Sequence, residues 1–205
     1  MRLGGLVLAA GLSSRMGAFK PLMQIDGKAL VVLSVESLLQ KAESVTVVLG
    51  FRADEVRQAL RDAFPKERVR ITVNAAYEMT DMLQSIRTGL AELDECDAFF
   101  LLPGDMPAVG ISTLAALAAA LENTDAAVAV PTVEGRRKHP PLIRADCIGD
   151  ILSYDGEGGL RGIWRGYEGK IAAVPVNDRG CVLDADDMDD FLALSDYLRR
   201  KRNTK

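Results

Sequence analysis

Arg15, Lys20 and a handful of aspartates are the residues whose types and spacing could do phosphate chemistry. The two cations end the stretch Leu6-Val7-Leu8-Ala9-Ala10-Gly11-Leu12-Ser13-Ser14-Arg15-Met16-Gly17-Ala18-Phe19-Lys20, an apolar run that turns into a loop of small residues. Small side chains let backbone N–H groups approach a ligand closely, and such a loop backed by two cations suits a polyphosphate. It is neither of the two commonest phosphate cradles. Five residues separate Gly11 from Gly17, and Lys20 comes three positions later, before Pro21. A Walker loop has four residues between its glycines with Lys-Ser/Thr directly after, and the dinucleotide pattern Gly-x-Gly-x-x-Gly is missing too. By composition alone the stretch reads equally as a Gly/Ser-rich turn between a first strand and a first helix.

The carboxylates fall in two places. Asp105 lies in Pro103-Gly104-Asp105-Met106-Pro107, directly after the most apolar strand candidate. A lone carboxylate at a strand end suits Mg²⁺, which takes one or two carboxylates and completes its shell from water and phosphate; it equally suits the N-cap of a following helix. The second group, Asp184-Ala185-Asp186-Asp187-Met188-Asp189-Asp190, precedes the last helix. Most of these complement the helix dipole or face water, and one is placed to be a second ligand. His139 is the only histidine, and an isolated one is expected to be structural or solvated rather than catalytic. Cys96, Cys147 and Cys181 are odd in number, widely spaced and without a Cys-x-x-Cys pairing, which argues against disulfides and a thiolate metal site and predicts reduced, mostly buried thiols.

These residues need a scaffold that brings strand ends together. Helical spacing over residues 28–42, 52–64, 82–93 and 112–121 alternates with apolar strand-like runs at 45–49, 69–73, 97–102 and 126–130, the last closed by Pro131. Strands apolar on both faces predict a doubly wound α/β fold, a mostly parallel sheet with helices on both faces, whose ligand lies beyond the strand C-termini. The second half is less regular. His139-Pro140-Pro141-Leu142-Ile143-Arg144 predicts an edge strand or hairpin, residues 171–176 a strand, Val182-Leu183-Asp184 a short strand, and residues 188–200 a final helix. Trp164, Tyr154 and Tyr167 are expected to pack rather than stack on a ligand.

The 205 residues carry a net charge of -4, and the one basic block, Arg199-Arg200-Lys201-Arg202, reads as a solvated helix end; nucleic acid is not an expected partner. Neither a signal peptide nor an apolar run of roughly twenty residues is visible. The expectation is a single cytoplasmic domain over 1–205 with no membrane partner, its nucleotide-binding part about 1–110 and its acceptor-binding part about 111–190.

Taken together, Leu8-Ala9-Ala10-Gly11-x-Ser13-x-Arg15-Met16-Gly17-x-x-Lys20, Gly104-Asp105-Met106-Pro107 and Leu183-Asp184-x-Asp186 resemble the molybdenum cofactor nucleotidyltransferases. They are most similar to the cytidylyltransferase branch, whose loop reads Ala-Ala-Gly. The resemblance implies a Rossmann-like nucleotidyltransferase fold and CMP transfer from CTP to the terminal phosphate of molybdopterin. It implies a nucleotide site at Leu8, Ala9, Ala10, Gly11, Ser13, Ser85 and Gly104, with Arg15, Lys20 and Asp105 as catalytic residues. Asp105 and Asp186 would hold Mg²⁺, with Asp184 as the alternative. Asp81-Met82-Leu83-Gln84-Ser85 is similar to the family's Gly-Met-x-x-Ser near base and sugar. His139, Gly159 and Arg161 would face the acceptor, the last two from Gly156-Glu157-Gly158-Gly159-Leu160-Arg161, similar to the family's Gly-Asp-x-Gly-x-Arg. A molybdoenzyme receiving the product is an implied partner.

Departures at Asp81, Lys138 and Asp187-Met188 bear on base and acceptor selectivity rather than on phosphate chemistry. A phosphate acceptor is already an anionic nucleophile, so the reaction requires alignment and charge stabilisation rather than a general base. Two other readings stand beside this one: a sugar- or polyol-phosphate nucleotidyltransferase, and a non-catalytic cofactor-binding maturation factor for a molybdoenzyme.

Overall fold

In the strand Leu3–Ala9 (β1), Leu3 and Val7 face one side of the sheet and Leu6 the other, and all three are buried. A strand apolar on both faces needs cover on both, and that requirement organises the fold. The computed structural model describes residues 1–12 and 18–203. Its elements run β1, a hairpin of β2 (Gln24–Ile25) and β3 (Lys28–Ala29), α1 (Leu30–Leu38), β4 (Ser44–Leu49), α2 (Ala53–Ala63), β5 (Val69–Val73), α3 (Met82–Leu90), β6 (Ala98–Pro103) and α4 (Ile111–Glu122). There follow β7 (Val128–Val133), β8 (Arg136–Arg137), β9 (Leu142–Arg144), α5 (Ile148–Ser153), α6 (Gly159–Arg165), β10 (Ile171–Pro175) and α7 (Met188–Asn203).

The main sheet has the order β10-β7-β9-β6-β1-β4-β5, with β8 paired to β7. β1 lies parallel between β4 and β6, and β5 and β10 are parallel to their neighbours. One face is covered by Val31, Val35 and Leu38 of α1, Val56 and Leu60 of α2, and Leu114, Leu117 and Leu121 of α4. The other is covered by Leu83, Ile86 and Leu90 of α3, Ile151 of α5 and Ile163 of α6. Phe99 and Phe100, consecutive in β6, are both fully buried on opposite faces. Each contributes on the order of 2–3 kcal/mol by burial, which makes β6 an interior strand. Leu194 and Leu198 of α7 pack with Ile25, Leu30, Leu33, Ala108 and Ala185 in a third cluster. The sheet is doubly wound and mostly parallel, as the alternation predicts. Among the described residues no helix is long and apolar enough to cross a membrane.

Three local expectations are corrected. β9 is not at an edge: it runs antiparallel between β6 and β7. Pro140 and Pro141 precede the three paired residues, so neither has to donate within the ladder. β7 is not closed by Pro131 but continues to Val133, because the β9 ladder stops at Ala129 and the prolyl nitrogen lies beyond it. Residues 182–184 form no strand; the N–H groups of Val182 and Leu183 both fold back onto Arg179 O, at 3.0 and 3.1 Å. The basic helix end is solvated at Arg199, Arg200 and Arg202, as expected, and is also tied down. Arg199 and Arg202 each donate to Asp26 at 2.9 Å, and Lys201 donates to Ala108 O at 2.8 Å.

The cysteines are free, as expected, and burial raises all three thiols, Cys181 to about 12. Trp164 and Tyr167 pack edge to face with their centroids 5.7 Å apart, again as expected.

Candidate functional site

The site forms where β1 and β6 end side by side, with Leu8 in register with Pro103. β4 and β5 lie on one side of β1 and β6 on the other, so the chain reverses its direction of winding here and leaves a crevice between the two strand ends. The peptide before Asp105 is held from both sides. Gly104 N–H donates to Leu8 O at 2.8 Å, and the buried Ser34 hydroxyl of α1 lies 2.9 Å from Gly104 O. A Cβ on Gly104 would come 3.1 Å from Leu8 O and 3.2 Å from Ala9 Cβ, so the glycine permits this close approach. Asp105 does not cap the following helix, since the N-cap of α4 is Gly110.

Lys20 begins a short 3-10 turn, Lys20–Leu22, in which Pro21 is buried. Its ammonium reaches Asp186 Oδ1 at 2.8 Å and Asp105 Oδ2 at 3.4 Å. Residues 85 and 166 positions apart in the chain thus meet at one point. Asp186 is held there by its neighbour Ala185, which is fully buried in the α7 cluster. Asp184 completes the group. Burial first, then the charges of Asp186, Asp105 and Asp190, push its carboxyl above the usual range. Asp187 and Asp190 serve the helix, the Asp187 carboxylate accepting Asp190 N–H at 2.9 Å.

Beside this charge cluster lies a cavity of about 320 Å³. Leu8, Ala9, Ala10 and Gly11 line one wall, Pro103, Gly104, Asp105 and Lys20 another, and Tyr77, Thr80, Asp81, Met82 and Ser85 the third. Asp81 is the N-cap of α3, its carboxylate accepting Gln84 N–H at 3.1 Å, so the departure from glycine at this position fastens the helix end. Asn74, a residue the sequence reading passed over, ties the third wall together. Its amide donates to Thr80 Oγ1 at 3.0 Å and Ser85 Oγ at 3.1 Å, and its carbonyl accepts Ala76 N–H at 3.1 Å. Gly50 closes β4 against the cavity, and a Cβ there would lie 2.5 Å from Ala10 O and 2.9 Å from the Tyr77 side chain. Phe19, Phe51 and Tyr77 form an aromatic row beside the cavity, with centroids 5.5 and 6.4 Å apart. Ser34, Asn74 and this row carry no sequence signal, because each acts through partners distant in the chain.

His139 is half-buried, and its Nδ1 is enclosed without a partner among the described residues. Burial pushes the imidazole below its usual value, outweighing the opposing effects of the Leu101 backbone and the Asp105 charge. The ring therefore stays neutral and has one polar atom to offer. Gly159 and Arg161 are not brought to the cavity; they begin α6, and Arg161 is exposed. Ser13 and Arg15 lie outside the described residues.

Among the described residues no three His, Cys, Asp or Glu side chains form a preformed metal cage. Asp105 and Asp186 are instead two hard oxygen donors that both reach the Lys20 ammonium, and Asp105 opens onto the cavity. That donor set fits an ion of the Mg²⁺ type, which takes its remaining ligands from water and substrate.

The profile of the MobA-like NTP transferase domain matches residues 5–172. Among curated proteins, the chain is 26% identical over 187 residues to the molybdenum cofactor cytidylyltransferase of Escherichia coli (strain K12), covering 91% of this chain and 92% of that protein. It is also 26% identical over 196 residues to the molybdenum cofactor guanylyltransferase of Cupriavidus metallidurans, with 91% of each covered. A solved nucleotidyl transferase from Methanothermobacter thermautotroptrophicus superposes with a TM-score of 0.80 at 24% identity, over 97% of this chain and 99% of that one.

Proposed function

Since the chain belongs to the MobA-like NTP transferase family and is a nucleotidyltransferase, we propose that it transfers CMP from CTP to the terminal phosphate of a molybdopterin-type acceptor and releases pyrophosphate. The observation that carries the reading is the meeting of Lys20, Asp105 and Asp186 beside a cavity walled by Ala9, Ala10 and Gly11. The Ala-Ala-Gly loop supports CTP as donor, and the full-length similarity to the cofactor cytidylyltransferase supports the acceptor.

In this reading the Leu8 to Gly11 backbone, Ser13, Ser85 and Gly104 hold the nucleotide, and residues 1–110 are the donor-binding part. Residues 111–190 form the acceptor-binding part, with His139, Gly159 and Arg161 as its contacts. An acceptor phosphate oxygen attacks the α-phosphorus of CTP, a new P–O bond forms, and the bond to the β-phosphate breaks with its electron pair leaving on pyrophosphate. Arg15 and Lys20 receive that charge. Asp105 and Asp186, with Asp184 beside them, hold a Mg²⁺ that would neutralise donor phosphate oxygens. His139, kept neutral by burial, is a hydrogen-bonding contact for the acceptor rather than a base. The nucleophile carries its own negative charge, so no proton has to be removed. A molybdoenzyme is the proposed recipient of the product.

The test is pyrophosphate release by the pure protein with Mg²⁺ and each of CTP, GTP and ATP, against molybdopterin and a panel of sugar and polyol phosphates. Turnover greatest with CTP and molybdopterin is the expected result. Faster turnover with a sugar phosphate would replace the acceptor. Tight binding of a pterin without turnover in any pairing would leave the protein a cofactor carrier.

A further inference from the structure

Lys20 has been given to the departing pyrophosphate, yet its ammonium lies against the two carboxylates assigned to the metal, 2.8 Å from Asp186 and 3.4 Å from Asp105. An ion bonded to both carboxylates needs the space between them, which is where the ammonium sits. The two cations therefore exclude each other from that position.

We propose that Lys20 is an internal counter-cation that competes with the divalent metal for Asp105 and Asp186, so that metal and donor triphosphate enter the site together. The inference rests on the reading of those aspartates as metal ligands.

The Lys20 side chain is only 13% exposed and the Asp105 side chain 24%, while Asp186 is 51% exposed, so the ammonium is shielded on the Asp105 side and the Asp186 side faces water. A metal arriving alone gains two carboxylates but must first displace the ammonium from both. The balance changes when a triphosphate arrives. Lys20 also lines the donor cavity, and its flexible stem can carry the ammonium from carboxylate to phosphate oxygen without a change of fold. Both cations are then satisfied, one on the aspartates and the other on the phosphates. Linkage makes the effect reciprocal: nucleotide tightens metal and metal tightens nucleotide. A preformed metal cage would make the nucleotide unnecessary for metal binding, and none is present among the described residues.

The experiment is direct binding of Mn²⁺, read by the electron paramagnetic resonance of the free ion, to the full chain and to Lys20→Met, Lys20→Gln and Lys20→Arg. It is run without nucleotide and with a non-hydrolysable CTP analogue, and circular dichroism confirms the fold of each variant. Without nucleotide, Lys20→Met and Lys20→Gln are expected to bind Mn²⁺ about tenfold more tightly than the unaltered chain, and Lys20→Arg no more tightly. The analogue should strengthen Mn²⁺ binding to the unaltered chain and add little to Lys20→Met. Affinity unchanged or weakened in both uncharged variants would overturn the proposal. The same measurement on Asp105→Asn separates the two failures. If that change leaves Mn²⁺ binding intact, or if no variant binds Mn²⁺ under either condition, the assignment of the metal ligands falls with it.

Discussion

The two halves of the sheet are built differently. β1, β4, β5 and β6 have five to seven residues each, run parallel, and end together at the cavity. On the other side β8 and β9 have two and three residues, and β9 runs against its neighbours. The residues near the donor cavity are fixed by backbone: Gly104 is bonded to Leu8 and Ser34, and Gly50 presses on Ala10. Two of those proposed for the acceptor, Gly159 and Arg161, lie in the first turn of α6, where Gly158 and Gly159 are both at positive φ and Arg161 is exposed. On the proposed reading, the difference would place phosphate chemistry and acceptor choice in separable parts of this molecule, the first held by close backbone contacts and the second on a more open stretch.

Asp105→Asn should break the donor half most severely. Loss of one such charge partner costs about 3 kcal/mol, or roughly a hundredfold in pyrophosphate release, with any acceptor. The thermal midpoint should stay near that of the unaltered chain, because no core contact is lost; near-normal turnover would refute the assignment. Gly50→Ala comes next. Its new Cβ must displace the Ala10 carbonyl or the Tyr77 ring, a strain of about 1–3 kcal/mol, so KM for CTP should rise while KM for the acceptor stays constant. Arg161→Met should do the reverse, raising KM for the acceptor about tenfold, the worth of one charge-assisted contact, and sparing CTP. Equal changes in both constants in either variant would show that the halves are coupled.

The same asymmetry governs what could be read in the sequence. β1 and β6 are apolar along their length, β4 carries Val45, Val47, Val48 and Leu49, and β5 alternates Val69, Ile71 and Val73 with polar residues; such patterns are what periodicity detects. Lys20 and Asp105 were singled out as a cation after a small-residue loop and a carboxylate after a strand, placements that equally suit a turn and a helix cap; the structure brings the two into contact. β9 was misplaced because two prolines precede its three paired residues, and so short a strand does not announce its neighbours. α5 and α6, six and seven residues long, fell below the length at which helical spacing can be counted. Ser34 reads as an ordinary helix residue until Gly104, 70 positions away, is seen to lie against its hydroxyl. Asp26 gave no sign that it anchors Arg199 and Arg202, which set the lie of α7 behind Asp186.

His139 stands between the halves, and the effect expected there is the smallest. Its imidazole is buried neutral, with a value held below the ordinary one of about 6.5. A group depressed in the folded protein contributes stability that is present above its unfolded value and is lost as pH falls through the folded one. The thermal midpoint of the unaltered chain should therefore drop as pH is lowered below about 6.5, since unfolding frees the ring to take a proton. His139→Asn keeps a hydrogen-bonding side chain and has nothing to titrate in this range, so its midpoint should fall less over the same interval. The Asp105 charge opposes the depression, and Asp105→Asn should steepen the acid loss. Parallel curves for the unaltered chain and His139→Asn would mean that the ring is solvated. His139 would then meet the acceptor as an open, titrating side chain rather than an enclosed, neutral one.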